Sequence, residues 1–257
     1  MPPDDSDALT LRCWDYGETS QVVHLLTRRA GRVHALAKGS KRPKSAFLGP
    51  LDTMVAGRAG WYRRPAGTLH VLGSFEAYDH FPAIRRDLRR YYVACHVLET
   101  ISLATREEVV EEGIFLLTVA TLRLIERARE PEAAVPLFHA DLLRQLGFAP
   151  RLDACVVCGR PAVSAPRERI SPAKGGFLCD ACAMEDPHAY GGRAGTTAAL
   201  RELFEHPFRD SVREGRPRHR RVDVARALAA LLRGVLERDV PTLRWVRQTA
   251  RADETPG

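Results

Sequence analysis

The sequence lacks any long apolar run. None of its apolar stretches approaches the roughly 18 uncharged residues that a membrane-spanning helix needs. The opening residues, MPPDDSDALT, are acidic and contain neither the basic nor the apolar region of a signal peptide. We therefore expect a cytoplasmic protein.

The sequence also lacks the common catalytic motifs. It contains no Walker A loop, no G-x-G-x-x-G, no H-E-x-x-H and no G-x-S-x-G. Two acidic pairs, Glu107-Glu108 and Glu111-Glu112, fall on a helix predicted from about residue 107 to 129 and indicate a solvated face. We therefore predict a protein that is not an enzyme.

Cysteine is scarce, but its spacing is informative. Four of the six cysteines form two C-x2-C pairs, Cys155/Cys158 and Cys179/Cys182, separated by 20 residues. Disulfides are improbable in a cytosolic protein, and two such pairs can direct four thiolates at one Zn²⁺. A closed four-thiolate shell leaves no open coordination position, so the predicted zinc is structural. A redox C-x-x-C or incidental cysteines are the alternatives.

The remaining cysteines, Cys13 and Cys95, lie in apolar patterns and are predicted to be small buried hydrophobic residues. The stretch between the two C-x2-C pairs has too few apolar residues to hold itself together by burial. A metal would supply the missing stability.

The first third of the chain has a strand-like pattern. Glycines punctuate five short apolar runs, which read LTLRCW, VVHLLT, RVHALAKG, PLDTMVAG and TLHVLGSFEAY. This pattern predicts a small antiparallel barrel, and periodicity does not distinguish an OB-type from an SH3-type barrel. Residues 1–7 are predicted to be a disordered leader, and residues 57–67 a break between strands.

After Pro82 the apolar residues recur at helical spacing. Helices are predicted over about 88–101, 107–129, 134–146, from 196 or 197, and over 222–238, with 248–257 frayed. Residues 150–190 indicate an irregular inserted module. The fold class is therefore α+β, with a barrel domain over 1–81 and a helical domain over 82–257 that contains the zinc module.

Basic residues are concentrated in the middle of the sequence that is predicted to form the barrel. The net charge of +7 favours a polyanionic partner only weakly, since a GC-rich genome also enriches arginine. Between residues 24 and 64, however, ten basic residues accompany a single acid, Asp52. Such a segment suits phosphate binding, although a solvated surface loop is the alternative. The predicted DNA-binding residues are Arg28, Arg32, Lys38, Lys41, Arg42, Lys44, Arg63 and Arg64.

Aromatic residues accompany these cations. Phe47, Trp61 and Tyr62 lie close by in sequence, as in a stacking platform for single strands, and the sequence leaves open which of them stack and which are core. Trp14, Phe75 and Tyr78 are assigned to the core. A second basic run, residues 213–221, suits a phosphate contact, a groove for an acidic partner tail, or plain solubility equally well.

Several runs of residues, in order and spacing, resemble the RecO family of bacterial recombination mediators over nearly the whole chain. The first run comprises Tyr16-Gly17-Glu18-x-Ser20, Thr27, Gly31, Ala37-Lys38-Gly39, Lys44-Ser45 and Leu51. The second runs from Leu142-Leu143 through Leu146-Gly147-Phe148, Pro150 and Leu152 to Cys155 and Cys158-Gly159. The third comprises Ser171-Pro172, Gly175-Gly176 and the Cys179/Cys182 pair.

The resemblance implies an N-terminal OB-fold, a helical domain and a zinc module. It implies binding of single- and double-stranded DNA, annealing of complementary strands, and loading of the recombinase onto DNA coated with single-strand-binding protein. The implied partners are RecR and the C-terminal tail of that protein, in a bacterial, nucleoid-associated setting. The acidic leader, with Asp4, Asp5 and Asp7, is not part of the family pattern.

Capture of the acidic tail would require cations beside an apolar groove. The last predicted helix offers both, and the predicted partner-binding residues are Arg226, Leu228, Leu232 and Arg233. The alternative interpretation, that the leucines are core and the arginines solvated, is equally favoured.

Two other functional classes share parts of this pattern. A zinc-ribbon transcription or translation factor with an OB-type RNA-binding domain would have the same barrel, basic loop and cysteines, but we would not expect it to anneal DNA strands. A zinc-dependent nuclease or deaminase is disfavoured by the closed thiolate shell and by the lack of an H-x-E motif beside the cysteines.

Overall fold

The contacts of the chain divide it into two compact units. A computed structural model describes residues 3–65, 67–162, 167–206, 208 and 222–252. Unit 1 comprises residues 1–127 and unit 2 residues 128–257. Contacts therefore cross the boundary predicted at residues 81/82, because the first helices and the loop between them pack on the barrel.

Unit 1 begins with a closed five-stranded barrel. Its strands are β1 (Asp4–Tyr16), β2 (Ser20–Thr27), β3 (Gly31–Ala37), β4 (Ala56–Tyr62) and β5 (His70–Asp79). The order around the barrel is β1-β2-β3-β5-β4, and β4 pairs with β1 to close it. Every pair is antiparallel except β3 with β5, so the predicted antiparallel barrel is corrected there. The five-stranded closure confirms the OB-type architecture.

Alternation along the strands separates the barrel core from the outer face. In β3, Val33, Ala35 and Ala37 are buried inside, whereas Arg32 and His34 point outward. This follows from the two-residue period of a strand. The barrel interior is filled by side chains from all five strands and the β3–β4 connection, including Ala8, Val23, Leu25, Phe47, Leu51, Ala59, Trp61, Leu72 and Phe75.

The fourth strand lies later in the chain than its apolar run predicted. It covers residues 56–62 rather than 50–57, and two glycines assigned to a break are inside it. A Cβ at Gly57 would lie 2.6 Å from the carbonyl oxygen of Glu76, and one at Gly60 would lie 2.7 Å from Ser74 Oγ. These glycines therefore permit close packing of β4 on β5, not a turn.

The predicted disordered leader is wrong from Asp4 onward. Residues Asp4 to Leu9 pair in register with β4, from Trp61 back to Ala56. Two ion pairs accompany this ladder, Asp5 with Arg58 and Asp4 with Arg63. The acidic start of the chain thus closes the barrel, because β4 supplies its backbone hydrogen-bond partners.

Three helices complete unit 1: α1 (Pro82–Arg85), α2 (Leu88–Ala104) and α3 (Glu112–Arg127). Asp87 caps α2 by accepting a hydrogen bond from the Arg90 N–H at 3.0 Å. The predicted helix over 107–129 begins only at Glu112. The Glu108 N–H donates to the Arg32 carbonyl at 3.1 Å, which ties the preceding loop to the barrel edge.

Unit 2 contains helices around a small sheet. A 3₁₀ turn (Pro131–Ala133) leads into α4 (Ala134–Gln145), followed by β6 (Arg167–Ser171), β7 (Gly176–Leu178), α5 (Asp180–Ala183), β8 (Tyr190–Arg193), α6 (Thr196–Glu205), α7 (Val222–Leu236) and α8 (Leu243–Ala252). The sheet order is β7-β6-β8. Residues 248–252 are helical, so fraying of this part was predicted wrongly.

None of the helices in the described ranges has the length and apolar character needed to cross a membrane.

Candidate nucleic-acid interface and metal centre

The four cysteines of the two C-x2-C pairs converge in unit 2. The Gly159 N–H donates to the Cys155 carbonyl at 2.9 Å, and Gly159 takes the left-handed φ of +73° that closes this turn. Cys179 precedes α5 and its carbonyl accepts from the Ala183 N–H. A hydrogen bond of 3.0 Å from the Val156 N–H to the Phe177 carbonyl joins the two turns.

The thiols have the spacing of a metal shell. The four sulfur atoms lie within 4.8 Å of one another, and Cys158 Sγ is 3.6 Å from Cys179 Sγ. Tetrahedral Zn–S bonds of about 2.3 Å place sulfur atoms roughly 3.8 Å apart. The four residues can therefore hold a metal ion. Over the described ranges, no other group of three or more His, Cys, Asp or Glu side chains meets this criterion.

The pKa values of two of these thiols are shifted in opposite directions within the cluster. Burial raises the pKa of the Cys155 thiol, but hydrogen bonds from the backbone at Cys158, Cys179 and Val157 outweigh this effect and lower it to about 6. The same cluster raises the pKa of Cys182 to about 12, first through its hydrogen bond with Cys179. Four thiolates repel one another, and a divalent cation removes that repulsion.

Several cations of the predicted DNA-binding set are paired with acids within unit 1. Arg28 contacts Glu112 at 2.6 Å, and this hydrogen bond raises the pKa of Arg28. Lys41 contacts Asp15 at 2.6 Å. Arg63 pairs with Asp4. Arg32 is half-buried and donates to the Ser102 carbonyl at 3.0 Å, and burial lowers its pKa.

The acids Glu107 and Glu108 lie on a loop and not on the predicted helix, but their side chains are solvated as predicted. One carboxylate oxygen of each also contacts the barrel. Glu107 Oε1 lies 2.8 Å from His34 Nδ1, and Glu108 Oε1 lies 3.3 Å from His70 Nε2. The loop that carries them passes so close to β3 that a Cβ on Gly31 would lie 2.3 Å from the Val109 carbonyl oxygen. This loop therefore neutralises part of the positive potential at one side of the barrel.

Four cations of the predicted set stay exposed without an ion pair in the described part of the chain: Lys38, Arg42, Lys44 and Arg64. Three of them lie on the connection from β3 to β4, which we call the basic loop (residues 38–55). Among the described residues of the predicted set, these four have a charge that is available to a phosphate.

A buried amide holds the basic loop in place. The Gln21 side chain donates to the Leu51 carbonyl at 3.0 Å and accepts from the Leu51 N–H at 2.8 Å. It also accepts from the Ser40 hydroxyl at 2.9 Å. Gln21 therefore binds both ends of the loop.

The aromatic residues are placed differently from the prediction. Phe75 is buried as predicted, but Trp61 is 1% exposed and Phe47 is also in the core, so neither offers a stacking surface. Tyr62 is exposed. Trp14, at 39% exposure, and Tyr78, at 53%, were wrongly assigned to the core. Arg12 lies two residues before Trp14 and on the same outward face of the strand. This charged neighbour is the sequence signal that could have placed Trp14 on the outside.

The predicted partner-binding helix, α7, keeps its leucines inside. Leu228 is 0% and Leu232 2% exposed, in contrast to the predicted groove. Helical periodicity turns them towards the core of unit 2 and leaves Arg226 and Arg233 on the exposed side. Arg233 lies 3.6 Å from Asp239. The second predicted basic run, 213–221, lies outside the described residues.

Comparison with known proteins identifies relatives of both parts of the chain. The family model described as "Recombination protein O N terminal" matches residues 1–81, and "Recombination protein O C terminal" matches residues 85–244. A DNA repair protein RecO of Anaeromyxobacter dehalogenans is 36% identical, with 77% of each chain covered. One of Rhodopirellula baltica is 32% identical over 78% of this chain and 74% of its own. One of Desulforudis audaxviator is 31% identical over 95% of this chain and 96% of its own. The chain therefore belongs to the RecO family of DNA repair proteins.

Proposed function

We propose that the chain binds single- and double-stranded DNA, anneals complementary strands and helps load the recombinase onto DNA coated with single-strand-binding protein. RecR and the acidic C-terminal tail of the single-strand-binding protein would be its protein partners. In this proposal the chain is a binding protein of the bacterial nucleoid and not an enzyme.

The observation that carries DNA binding is the cluster of unpaired cations on an OB-type barrel. Lys38, Arg42 and Lys44 are exposed on one loop, whose backbone is fixed by Gln21. Long cationic side chains on a positioned loop suit sequence-independent phosphate contacts. OB-type barrels bind oligonucleotides on strands and loops of this kind.

We propose Zn²⁺ as the metal held by Cys155, Cys158, Cys179 and Cys182. Four thiolates at tetrahedral spacing are the ligand set of structural zinc sites. The metal would hold together a segment with short strands and a small apolar cluster of Cys155, Phe177, Leu178 and Cys179. It would leave no coordination position for a substrate.

For the tail of the single-strand-binding protein, we propose the arginine face of α7. Arg226 and Arg233 share this face with Val222, which is exposed. With Leu228 and Leu232 buried, Val222 is the apolar residue there that a docked peptide can reach.

An annealing assay tests the DNA function. Two complementary labelled oligonucleotides, bare or coated with single-strand-binding protein, are mixed with the wild type and with the K38A/R42A/K44A variant. We expect wild-type protein to accelerate annealing on both substrates and the triple variant to lose most of the acceleration. R58A, which removes a cation held by Asp5, is the control. Binding of RNA without any acceleration of DNA annealing would instead favour an RNA-binding factor.

A further inference from the structure

The outer face of β1 carries an exposed aromatic pair. Arg12, Trp14 and Tyr16 lie at alternate positions of the strand, and Trp14 and Tyr16 are 39% and 58% exposed. Residues i and i+2 on one strand face stand roughly 7 Å apart, about twice the 3.4 Å rise per nucleotide of a stacked strand. A nucleic-acid strand that placed bases on both rings would therefore have to be extended, as a single strand can be.

The Trp14 ring is held in position by its neighbours. The imidazole of His24 meets it edge-on, with ring centroids 4.6 Å apart, and the Arg12 guanidinium carbon lies 5.8 Å from its centroid. His24 in turn stacks on His34, directly opposite it in the ladder. A ring with fixed orientation loses little conformational freedom when a base stacks on it.

The basic loop begins beside this pair. The Lys41 N–H donates to the Thr19 carbonyl at 3.0 Å, and the Gly39 N–H donates to Ser20 Oγ at 3.1 Å. Lys41 Nζ contacts Asp15, the residue between Trp14 and Tyr16, at 2.6 Å. These contacts hold the start of the loop, with its exposed Lys38 and Arg42, against the end of β1 that carries the aromatic rings.

We propose that Trp14 and Tyr16 form a base-stacking subsite that selects single-stranded over duplex DNA, with phosphates bound by the adjacent cations of the basic loop. The inference rests on the proposed DNA-binding function. Duplex bases are already stacked on one another, so only unpaired bases can lie on these rings. The cations contact phosphates of either form, because phosphates carry no information about pairing.

The test compares two kinds of variant on two kinds of DNA. Affinities of the full chain for an oligo(dT) strand and for a duplex of equal length are measured by fluorescence anisotropy at one salt concentration. We expect W14A and Y16A each to weaken binding to oligo(dT) by roughly tenfold, the order of one base–aromatic stack, and to leave duplex affinity within about twofold. K38A/R42A/K44A should weaken both.

Y78A is the matched control, because Tyr78 is as exposed as Tyr16 but lies on β5. Y16A removes an exposed ring from the end of a strand, so it tests the subsite even if W14A does not fold. Tryptophan fluorescence gives a second readout: oligo(dT) should quench wild-type emission, and W14F should lose that quenching.

The outcomes separate the subsite from the function. Wild-type binding to oligo(dT) that W14A and Y16A leave unchanged would overturn the stacking subsite and leave DNA binding intact. Equal losses on oligo(dT) and duplex would also overturn it, because selection would then lie elsewhere. A wild-type protein that binds neither DNA would overturn the proposed function itself.

Discussion

The imidazole rings of His24 and His34 stack face to face, with centroids 3.4 Å apart and planes 9° from parallel. The two residues are directly opposite each other on β2 and β3. Burial, and to a smaller extent the charges of His34, Arg32 and Arg12, lower the pKa of His24 to about 4. Burial also lowers the pKa of His34, against the opposing effect of Glu107. The pair therefore packs as neutral rings.

This stacking predicts a loss of stability in mild acid. The pKa of a histidine in the unfolded chain is near 6.5, whereas that of His24 in the folded protein is about 4. Between these two pH values the unfolded chain therefore binds a proton at this position and the folded protein does not. The stabilising contribution of neutral His24 is thus complete above pH 6.5 and is lost as the pH falls towards 4. Urea unfolding at pH 7.5 and pH 5 should show a smaller pH dependence for H24Q than for wild type. Identical pH dependence in the two proteins would contradict this.

Metal removal should destabilise the fold. Purified protein should contain about one Zn²⁺ per chain, and C155S or C179S should reduce this to near zero. Because the metal's binding energy is part of the folding energy, chelation should lower Tm by at least roughly 10 °C. C95S, which removes a thiol outside the cluster, is the control and should keep its zinc. Metal-free wild-type protein with four free thiols and an unchanged Tm would contradict the site.

The salt dependence of DNA binding should distinguish unpaired from paired cations. Each lost phosphate contact should reduce the slope of log affinity against log salt by roughly 0.7–0.9. K38A/R42A/K44A should therefore flatten the slope by roughly 2–3, and the further change R64A should flatten it by about one contact more. R58A removes one positive charge, as R64A does, but Arg58 is paired with Asp5. This substitution should therefore leave the slope nearly unchanged. Equal effects of R58A and R64A would show that ion pairing in the free protein does not decide which cations reach DNA.

Gln21 should control the order of the basic loop. Q21A removes the acceptor of the buried Leu51 N–H and the donor to its carbonyl, which should cost about 1–3 kcal/mol. Amide hydrogen exchange should rise in residues 38–52, and single-strand affinity should fall because the cations lose their fixed positions. Q145A, which alters an exposed glutamine bonded to Asp141, provides the comparison. Unchanged exchange in the loop would remove Gln21 from this role.

Local patterns predicted the elements of this fold better than its close contacts. The alternation in β3 and the spacing of the two C-x2-C pairs are local, and both indicated the right structure. Gly57 and Gly60 were assigned to a break, because the sequence does not show that Glu76 and Ser74 lie against them. Trp14 was wrongly assigned to the core, and the place of Trp61 was left open, since an aromatic residue suits either side of a strand until the barrel closure assigns the inner face.

The same limit applies to charge. The density of cations between residues 24 and 64 indicated a phosphate-binding segment, but not which of them are available. Arg28 and Arg63 are paired with acids from other parts of unit 1, Glu112 and Asp4, at sequence separations that no local pattern connects. Only the folded barrel distinguishes them from Lys38 and its neighbours on the basic loop.

The arginine face of α7 gives the last prediction. An acidic tail peptide should bind the wild type more tightly than R226E/R233E, because both side chains are exposed and their charge can be reversed without altering the core. Since each exposed ion pair contributes only about 0.2–1 kcal/mol, the expected loss is roughly tenfold and should shrink in high salt. K174E/R193E makes the same change of net charge on the exposed surface of unit 2 and controls for long-range repulsion. L228A should act differently. Its side chain is fully buried, so the substitution should cost about 2–5 kcal/mol of unfolding free energy, with peptide affinity preserved in the fraction that stays folded. Equal peptide affinity for R226E/R233E and K174E/R193E would place the docking site elsewhere.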